Sequence, residues 1–181
     1  MKKKTELKTI FQAKHDHLEI LKTREGLLSV EIASREEIER LLKEQVMART
    51  AVISIADYND DYVLLCQKPQ YLLQLKFDDV GENEEFCIND EHAEQIAEFL
   101  YKVLVGKYEI QTLICQCEHG ESRSAAISAA IIEFLYGDAI RIFTDERYYP
   151  NKFAYKKVLQ VLCKHSDKIM NTEIENRDSV K

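Results

Sequence analysis

Residues 112–132 contain the feature that most constrains the fold of this chain. Residues 112–115 are apolar and predict a buried β-strand, whereas residues 125–132 are rich in alanine and isoleucine and predict a helix. A short polar loop that contains Gly120 connects the two segments. A strand that passes through a tight loop into a helix is the repeating unit of α/β folds with parallel strands.

The loop from Cys117 to Ser124 has the chemistry of an oxyanion-binding site. Backbone N–H groups of a curled loop at a helix N-terminus converge on one point and stabilise an anion there. The same field favours the thiolate form of a cysteine, which is its nucleophilic form. The guanidinium of Arg123 can hold two phosphate oxygens at once. We therefore predict a phosphate-binding loop with Cys117 as its nucleophile; the alternative is a buried cysteine followed by a surface arginine.

The rest of the hydrophobic pattern predicts strands that alternate with helices. Strands are predicted over residues 27–32, 50–56 and 71–76. This order predicts a single-domain α/β fold with a central, mostly parallel sheet flanked by helices. The phosphate-binding loop then lies at the carboxyl end of a strand, where such folds bind ligands.

The helix boundaries are marked by residues that are typical of helix caps. Ser34 and Glu37 have the spacing of a capping box. The pattern predicts four helices: from Ser34 to about Gln45, from Asn89 or Asp90 onward, from the loop to about Tyr136 before Gly137, and from about Pro150, a favourable first helical position, onward.

The length of 181 residues is sufficient for one domain with a proper core. We expect residues 26–165 to form this domain and residues 166–181 to be a charged, frayed tail. Residues 1–25 are a charged extension whose apolar positions have helical spacing, so they predict either a marginal helix or a solvated segment.

The composition excludes several classes of partner. The net charge of −7 argues against a nucleic-acid-binding surface. The sequence shows no apolar run of transmembrane length and no signal peptide, so we expect no membrane partner. Five cysteines without a dense disulfide framework are typical of a reducing compartment. We expect a cytoplasmic monomer.

The other cysteines do not indicate a metal or redox site. Cys115 lies within the apolar strand, two residues before Cys117, and is expected to be a small core residue. Cys66, Cys87 and Cys163 have no metal-ligand spacing with any histidine, so no zinc site is expected.

The pattern of a cysteine, five residues, an arginine and a serine resembles the signature loop of the cysteine-dependent protein tyrosine phosphatases. The resemblance is closest to the compact dual-specificity-like members and to the bacterial and phage members. It extends from about Leu27 to Cys163, and residues 51–57 and 75–80 resemble strands of that family. Asn151 and Tyr155 resemble a helix start of its bacterial branch.

The resemblance implies hydrolysis of phosphate monoesters through a phosphocysteine intermediate. Cys117 would be the nucleophile, and Arg123 would hold the equatorial phosphate oxygens. The hydroxyl of Ser124 would donate a hydrogen bond to the cysteine sulfur and ease its departure. The loop would bind the phosphate through residues Glu118, His119, Gly120, Glu121, Ser122 and Arg123. No metal or other cofactor is implied, because amides and guanidinium already neutralise the phosphoryl charge.

The family also places an aspartate some tens of residues before the cysteine, where it protonates the leaving oxygen. Asp78 and Asp79 fit this position, and Asp79 is preferred as the third residue of the triplet that begins at Phe77. Adjacent side chains on an extended backbone point in opposite directions, so we expect only one of the pair to face the cleft. Asp57 and Asp90 are weaker alternatives, and a solvated turn is the non-functional interpretation.

Two features depart from the family pattern. Gln116 precedes the nucleophile, where the family has a histidine that orients the cysteine and favours its thiolate. Glu118 and Glu121 place negative charge inside the loop, which disfavours a polyanionic lipid substrate. A single phosphate ester on a protein or small molecule fits better.

The leading hypothesis is therefore a tyrosine or dual-specificity phosphatase that acts on phosphotyrosine or phosphoserine/threonine in proteins. The alternative is a catalytically weak pseudophosphatase that binds phosphorylated partners, and Gln116 keeps this alternative open. A sulfur-transfer or arsenate-reducing enzyme is a third hypothesis. The five-residue gap before Arg123 and the lack of an obvious partner cysteine disfavour it.

Overall fold

A computed structural model describes residues 28–44, 49–65, 67–105 and 108–178 of the chain. The predicted extension, residues 1–25, lies outside the described residues. Within them, four strands form one sheet: β1 (Ser29–Ala33), β2 (Thr50–Ala56), β3 (Tyr71–Lys76) and β4 (Thr112–Gln116). The spatial order is β1-β4-β2-β3, and every neighbouring pair is parallel. The predicted parallel α/β fold is confirmed.

The helices cover both faces of this sheet. They are α1 (Arg35–Glu44), α2 (Asp90–Val105), α3 (Arg123–Tyr136), the short α4 (Ile140–Phe143) and α5 (Lys152–Asp178). Helix α5 packs against both α2 and α3, and the three helices share the larger core with the sheet. A smaller core lies between the sheet and α1.

Strand β2 contributes side chains to both of these cores. All of its residues from Ala51 to Ala56 are buried, as expected for a strand that is covered on both faces. Ile53 and Ile55 belong to the larger core, whereas Val52 belongs to the smaller core under α1. Because all four strands are parallel, their carboxyl ends meet at one edge, and the loops that follow them meet there too.

The predicted capping box of α1 and the predicted glycine at the end of α3 are both present. The backbone N–H of Ser34 donates to Glu37 Oε2 at 2.8 Å, and the N–H of Glu37 donates to Ser34 Oγ at 3.1 Å. This is the reciprocal pair of a capping box. Gly137 ends α3 with a φ of 68°, and its N–H donates to the carbonyl of Glu133 at 3.0 Å.

Helix α5 begins close to its predicted start and continues into the predicted tail. It begins at Lys152, after Pro150, because Asn151 Oδ1 accepts hydrogen bonds from the N–H groups of Phe153 and Ala154 at 3.1 and 3.0 Å. It continues to Asp178, past residue 166, where the sequence predicts a frayed tail. No glycine or proline interrupts the segment, so its backbone meets no helix breaker. The division into domain and tail stays a prediction.

None of the helices in the described ranges combines the length and the apolar character that a membrane crossing requires.

Candidate active site

The loop that follows β4 is tightly packed against the β1–α1 connection. The N–H of Cys117 donates to the carbonyl of Ala33 at 3.3 Å, and the N–H of Arg35 donates to the carbonyl of Glu118 at 3.1 Å. Gly120 has a φ of +73°, and a Cβ there would lie 2.7 Å from the backbone nitrogen of Ser34. Only glycine fits this position, so the loop curls closely against the end of β1.

Cys117 and Ser124 form a buried pair at the base of the loop. The Cys117 sulfur lies 3.1 Å from Ser124 Oγ, and their exposed fractions are 3% and 0%. A thiolate can only accept a hydrogen bond, so the hydroxyl is the donor when Cys117 is ionised. A donor at this position stabilises negative charge on the sulfur.

Arg123 is a buried charged residue at the start of α3, with an exposed fraction of 5%. Its Nη1 donates to the carbonyl of Phe77 at 2.8 Å and contacts the carboxylate of Asp57. Its Nε has no hydrogen-bond partner among the described residues. A buried N–H of a charged group without an acceptor is costly. This side chain is therefore held through Nη1 by two contacts, and its Nε–H has no acceptor among the described residues.

Asp79 is held beside the loop by two donors. Its Oδ1 accepts hydrogen bonds from Ser122 Oγ and from Asn151 Nδ2, both at 2.9 Å. Asn151 Nδ2 also donates to the carbonyl of Val80 at 3.0 Å. The residue that caps α5 thus connects that helix to the aspartate loop.

Asp78 is held on the other side of the same loop. Its Oδ1 accepts the N–H of Tyr58 at 2.8 Å, and its own N–H donates to the carbonyl of Phe86 at 2.8 Å. Tyr58 and Phe86 stack with ring centroids 4.0 Å apart.

Both aspartates line one cleft of about 430 Å³, which differs from the expectation that only one would face it. The strand ends at Lys76, so the alternation of an extended backbone no longer applies to the following residues. The other residues that line this cleft are Asp57, Asn59, Asp60, His119 and Arg123.

Asp90, an alternative acid in the sequence prediction, does not line this cleft. It lies at the start of α2, where its Oδ1 accepts a hydrogen bond from Lys157 Nζ at 2.6 Å. This hydrogen bond and the positive charge of Lys157 lower the pKa of Asp90. The geometry therefore removes Asp90 from the candidate acids.

The loop glutamates line a second cleft of about 420 Å³ on the other side of His119. Glu118 Oε2 accepts a hydrogen bond from Arg35 Nε at 2.7 Å. Arg35 Nη2 also donates to the carbonyl of Asp61 at 2.6 Å. Arg35 thereby connects the loop, α1 and the segment after β2.

Gln116, which replaces the histidine of the family pattern, is almost completely buried, with an exposed fraction of 2%. Its Oε1 accepts a hydrogen bond from Ser54 Oγ at 2.8 Å, and the two residues are register partners on β4 and β2. A buried side-chain amide requires such a partner. This hydrogen bond therefore connects β4, the strand that precedes the candidate nucleophile, to the neighbouring strand β2.

No group of three or more histidine, cysteine, aspartate or glutamate side chains in the described part of the chain is arranged to hold a metal ion.

No family model and no curated protein matches the sequence. The solved structure of DUSP15 matches 83% of this chain and 94% of its own, with 14% identity and a TM-score of 0.53. The chain has the dual-specificity phosphatase fold. The family resemblance expected from the loop is thus confirmed at the level of the fold.

Other solved structures with this phosphatase fold match at lower TM-scores. The human tyrosine phosphatase-like serine/threonine/tyrosine-interacting protein is 20% identical, with coverages of 71% of this chain and 84% of its own and a TM-score of 0.48. The phosphatase domain of Yvh1 from Chaetomium thermophilum is 17% identical, with coverages of 76% and 91% and a TM-score of 0.49.

Within the phosphatase fold, sequence reasoning missed the contacts that hold Arg123. The sequence pattern indicates Asp57 only as an alternative acid, and the backbone carbonyl of Phe77 leaves no pattern in the sequence. Asp57 directly follows β2, and Phe77 directly follows β3. Because both residues directly follow parallel strands, they are candidates for one edge of the sheet. Predicting that they meet there requires the strand order, which the sequence does not provide.

Cys115 is expected to be unreactive although it lies two residues from Cys117. Burial raises the pKa of the Cys115 thiol to about 12. The thiol therefore stays protonated at pH 8, and iodoacetamide, which reacts with thiolates, will not modify it in the folded protein. Peptide mass spectrometry after native and denaturing alkylation checks this, with full modification of Cys115 only after denaturation. Its modification in the folded protein would contradict the expectation.

Proposed function

We propose that this chain is a cysteine-dependent phosphatase that hydrolyses phosphate monoesters through a phosphocysteine intermediate. One observation carries the proposal: the Cys117 sulfur, a hydroxyl 3.1 Å away and a buried arginine whose Nε has no acceptor among the described residues lie together where the loop enters α3. The phosphatase fold supports it. Nucleophile, sulfur stabiliser and oxyanion donor are the groups that phosphoryl transfer to a thiolate needs.

In the first step, the Cys117 thiolate attacks phosphorus and the P–S bond forms as the P–O bond to the leaving group breaks. Arg123 and the loop N–H groups stabilise the charge on the equatorial oxygens. Asp79, in its protonated form, gives its proton to the leaving oxygen. The products of this step are an alcohol or phenol and the phosphocysteine.

In the second step, water attacks the phosphocysteine. Asp79, now a carboxylate, accepts a proton from this water as the P–O bond forms and the P–S bond breaks. Ser124 donates a hydrogen bond to the departing sulfur and stabilises the thiolate. Inorganic phosphate leaves, and the nucleophile is restored.

The substrates we propose are phosphotyrosine or phosphoserine/threonine residues of proteins.

A thiolate nucleophile survives best in a reducing compartment, which supports a cytoplasmic location.

Asp79→Asn should slow the hydrolysis of substrates with poor leaving groups by about 10²-fold or more, because such oxygens need a proton. An activated ester with a good leaving group should be affected much less. The measurement compares kcat for phenyl phosphate with kcat for para-nitrophenyl phosphate.

Asp78→Asn is the matched control, because Asp78 lines the same cleft but is held by Tyr58. It should show a similar factor for both substrates. If Asp78→Asn produces the leaving-group effect and Asp79→Asn does not, the assignment of the acid is reversed.

The second candidate function is a pseudophosphatase that binds phosphorylated partners with little turnover. Gln116 favours it, since its amide cannot supply the positive charge that a histidine offers beside the nucleophile. The contact of Asp57 with Arg123 favours it as well, because this carboxylate competes with phosphate for the guanidinium.

Hydrolysis of para-nitrophenyl phosphate against pH, without metal and with a reductant, separates the two candidates. A saturable rate with a bell-shaped profile supports the phosphatase. No rate above background, together with saturable binding of vanadate or phosphate, supports the pseudophosphatase.

A further inference from the structure

The two clefts beside the signature loop are both strongly acidic. They meet at His119, which lines both of them. One is lined by carboxylates of α1 and the loop, the other by carboxylates that follow β2 and β3. The eight carboxylates are those of Glu36, Glu39, Glu118, Glu121, Asp57, Asp60, Asp78 and Asp79.

Among the described residues, the arginines that line these clefts are Arg35 and Arg123, and both contact a carboxylate. Arg35 pairs with Glu118, and Arg123 pairs with Asp57. Since the Debye length is about 8 Å at physiological ionic strength, carboxylates around such small clefts act together on a bound anion. The described surroundings of the loop therefore repel a phosphate that arrives without positive charge.

The interior of the site nevertheless points to an anionic ligand. Arg123 lines the cleft, is 5% exposed, and its Nε has no acceptor among the described residues. An oxyanion is the acceptor that completes a guanidinium of this kind. The base of this site needs an anion, whereas the eight carboxylates around it, the acidic rim, repel anions. Such a site selects ligands that carry both a negative and a positive charge.

We propose that the substrate is a phosphoprotein segment with lysine or arginine residues on both sides of the phosphorylated residue. This inference rests on the proposed function and specifies its substrate class. The phosphate reaches Arg123, and the basic side chains lie in the clefts on either side of His119. An extended peptide advances about 3.3 Å per residue, so residues one to three positions from the phosphoresidue reach these clefts. The acidic rim rejects segments flanked by acidic residues through like-charge repulsion.

The test uses three phosphopeptides that share one core and carry lysine, alanine or glutamate on both sides of the phosphoresidue. Hydrolysis by the full chain should be about 10- to 100-fold more efficient, as kcat/KM, for the lysine peptide than for the glutamate peptide. The difference should shrink in high salt, because the charges involved are exposed. Dissociation constants for Cys117→Ser with the same peptides should follow the same order.

A variant with fewer rim carboxylates tests whether these carboxylates cause the preference for the lysine peptide. Glu36→Gln combined with Glu39→Gln and Asp60→Asn removes three rim carboxylates that have no part in the proposed chemistry. It should leave kcat for para-nitrophenyl phosphate unchanged and lower the KM for this anion, and it should reduce the preference for the lysine peptide. Glu98→Gln, at an exposed position of α2 that lines neither cleft, is the matched control and should keep the preference.

The outcomes distinguish this inference from the proposed function. Equal kcat/KM and equal binding for the three peptides overturn the inference, even if para-nitrophenyl phosphate is hydrolysed. A preference that survives the triple substitution also overturns it, as does a small phosphorylated amine that is hydrolysed better than any peptide. Absence of all turnover overturns the proposed function alone, because binding to Cys117→Ser still ranks the peptides.

Discussion

Cys117→Ser should reduce the hydrolysis of para-nitrophenyl phosphate by at least about 10³-fold, because the attacking thiolate is lost. A serine hydroxyl stays protonated at neutral pH, and no described contact of Cys117 offers it a general base. The phosphate site should persist, since Gly120 and the contacts of Arg123 do not depend on the sulfur. The measurement combines initial rates with titration of vanadate or phosphate.

The matched control is Cys163→Ser on α5, a partly buried thiol outside the loop. It should retain most of the activity. Residual hydrolysis of the same order in both variants would contradict a covalent mechanism at Cys117. Loss of anion binding in Cys117→Ser would instead show that the sulfur shapes the loop.

Gly120→Ala should damage both stability and activity. The left-handed backbone at a φ of +73° costs an alanine about 1–2 kcal/mol, and the clash adds about 1–3 kcal/mol. The new Cβ would lie 2.7 Å from Ser34 N and 2.9 Å from the carbonyl carbon of Ala33, and both atoms belong to the backbone. The loop must therefore move, and a displacement of about 1 Å can cost about 10²-fold in rate. Denaturant unfolding and kcat/KM measure the two effects.

Gly137→Ala separates backbone strain from steric conflict. Gly137 has a similar φ of +68°, but a Cβ there meets nothing within 4 Å. Its substitution should cost only about 1–2 kcal/mol of unfolding free energy and leave activity intact. If both variants lose the same unfolding free energy and keep the same kcat/KM, the close packing of the loop against β1 is not required for activity.

The local elements of this protein were predictable from its sequence, because their causes lie within a few residues. The capping box of Ser34 and Glu37, the strand of residues 71–76 and the stop at Gly137 all follow from neighbouring side chains and backbone preferences. The same holds for the loop, in which Cys117 to Ser124 join a buried strand to a helix. The helix predicted to begin near Pro150 begins at Lys152, where the side-chain oxygen of Asn151 caps it.

The contacts that turn this loop into a candidate site join residues distant in sequence. Ser54 meets Gln116, Arg35 meets Glu118, and Asp79 meets Asn151. Each pair depends on the strand order β1-β4-β2-β3, which places the ends of strands from separate parts of the chain at one edge. Local propensity carries no information about this order, since each strand alone could pair with any other.

The sequence by itself therefore determined the secondary structure around the loop, the fold class and the identity of the candidate nucleophile. Only the tertiary structure decided which carboxylates surround Arg123 and that both aspartates after β3 enter one cleft. The physical reason is the sequence distance over which each effect acts. Hydrophobic periodicity and helix caps depend on residues within a few turns of one another, whereas the packing of the whole sheet brings these charges together.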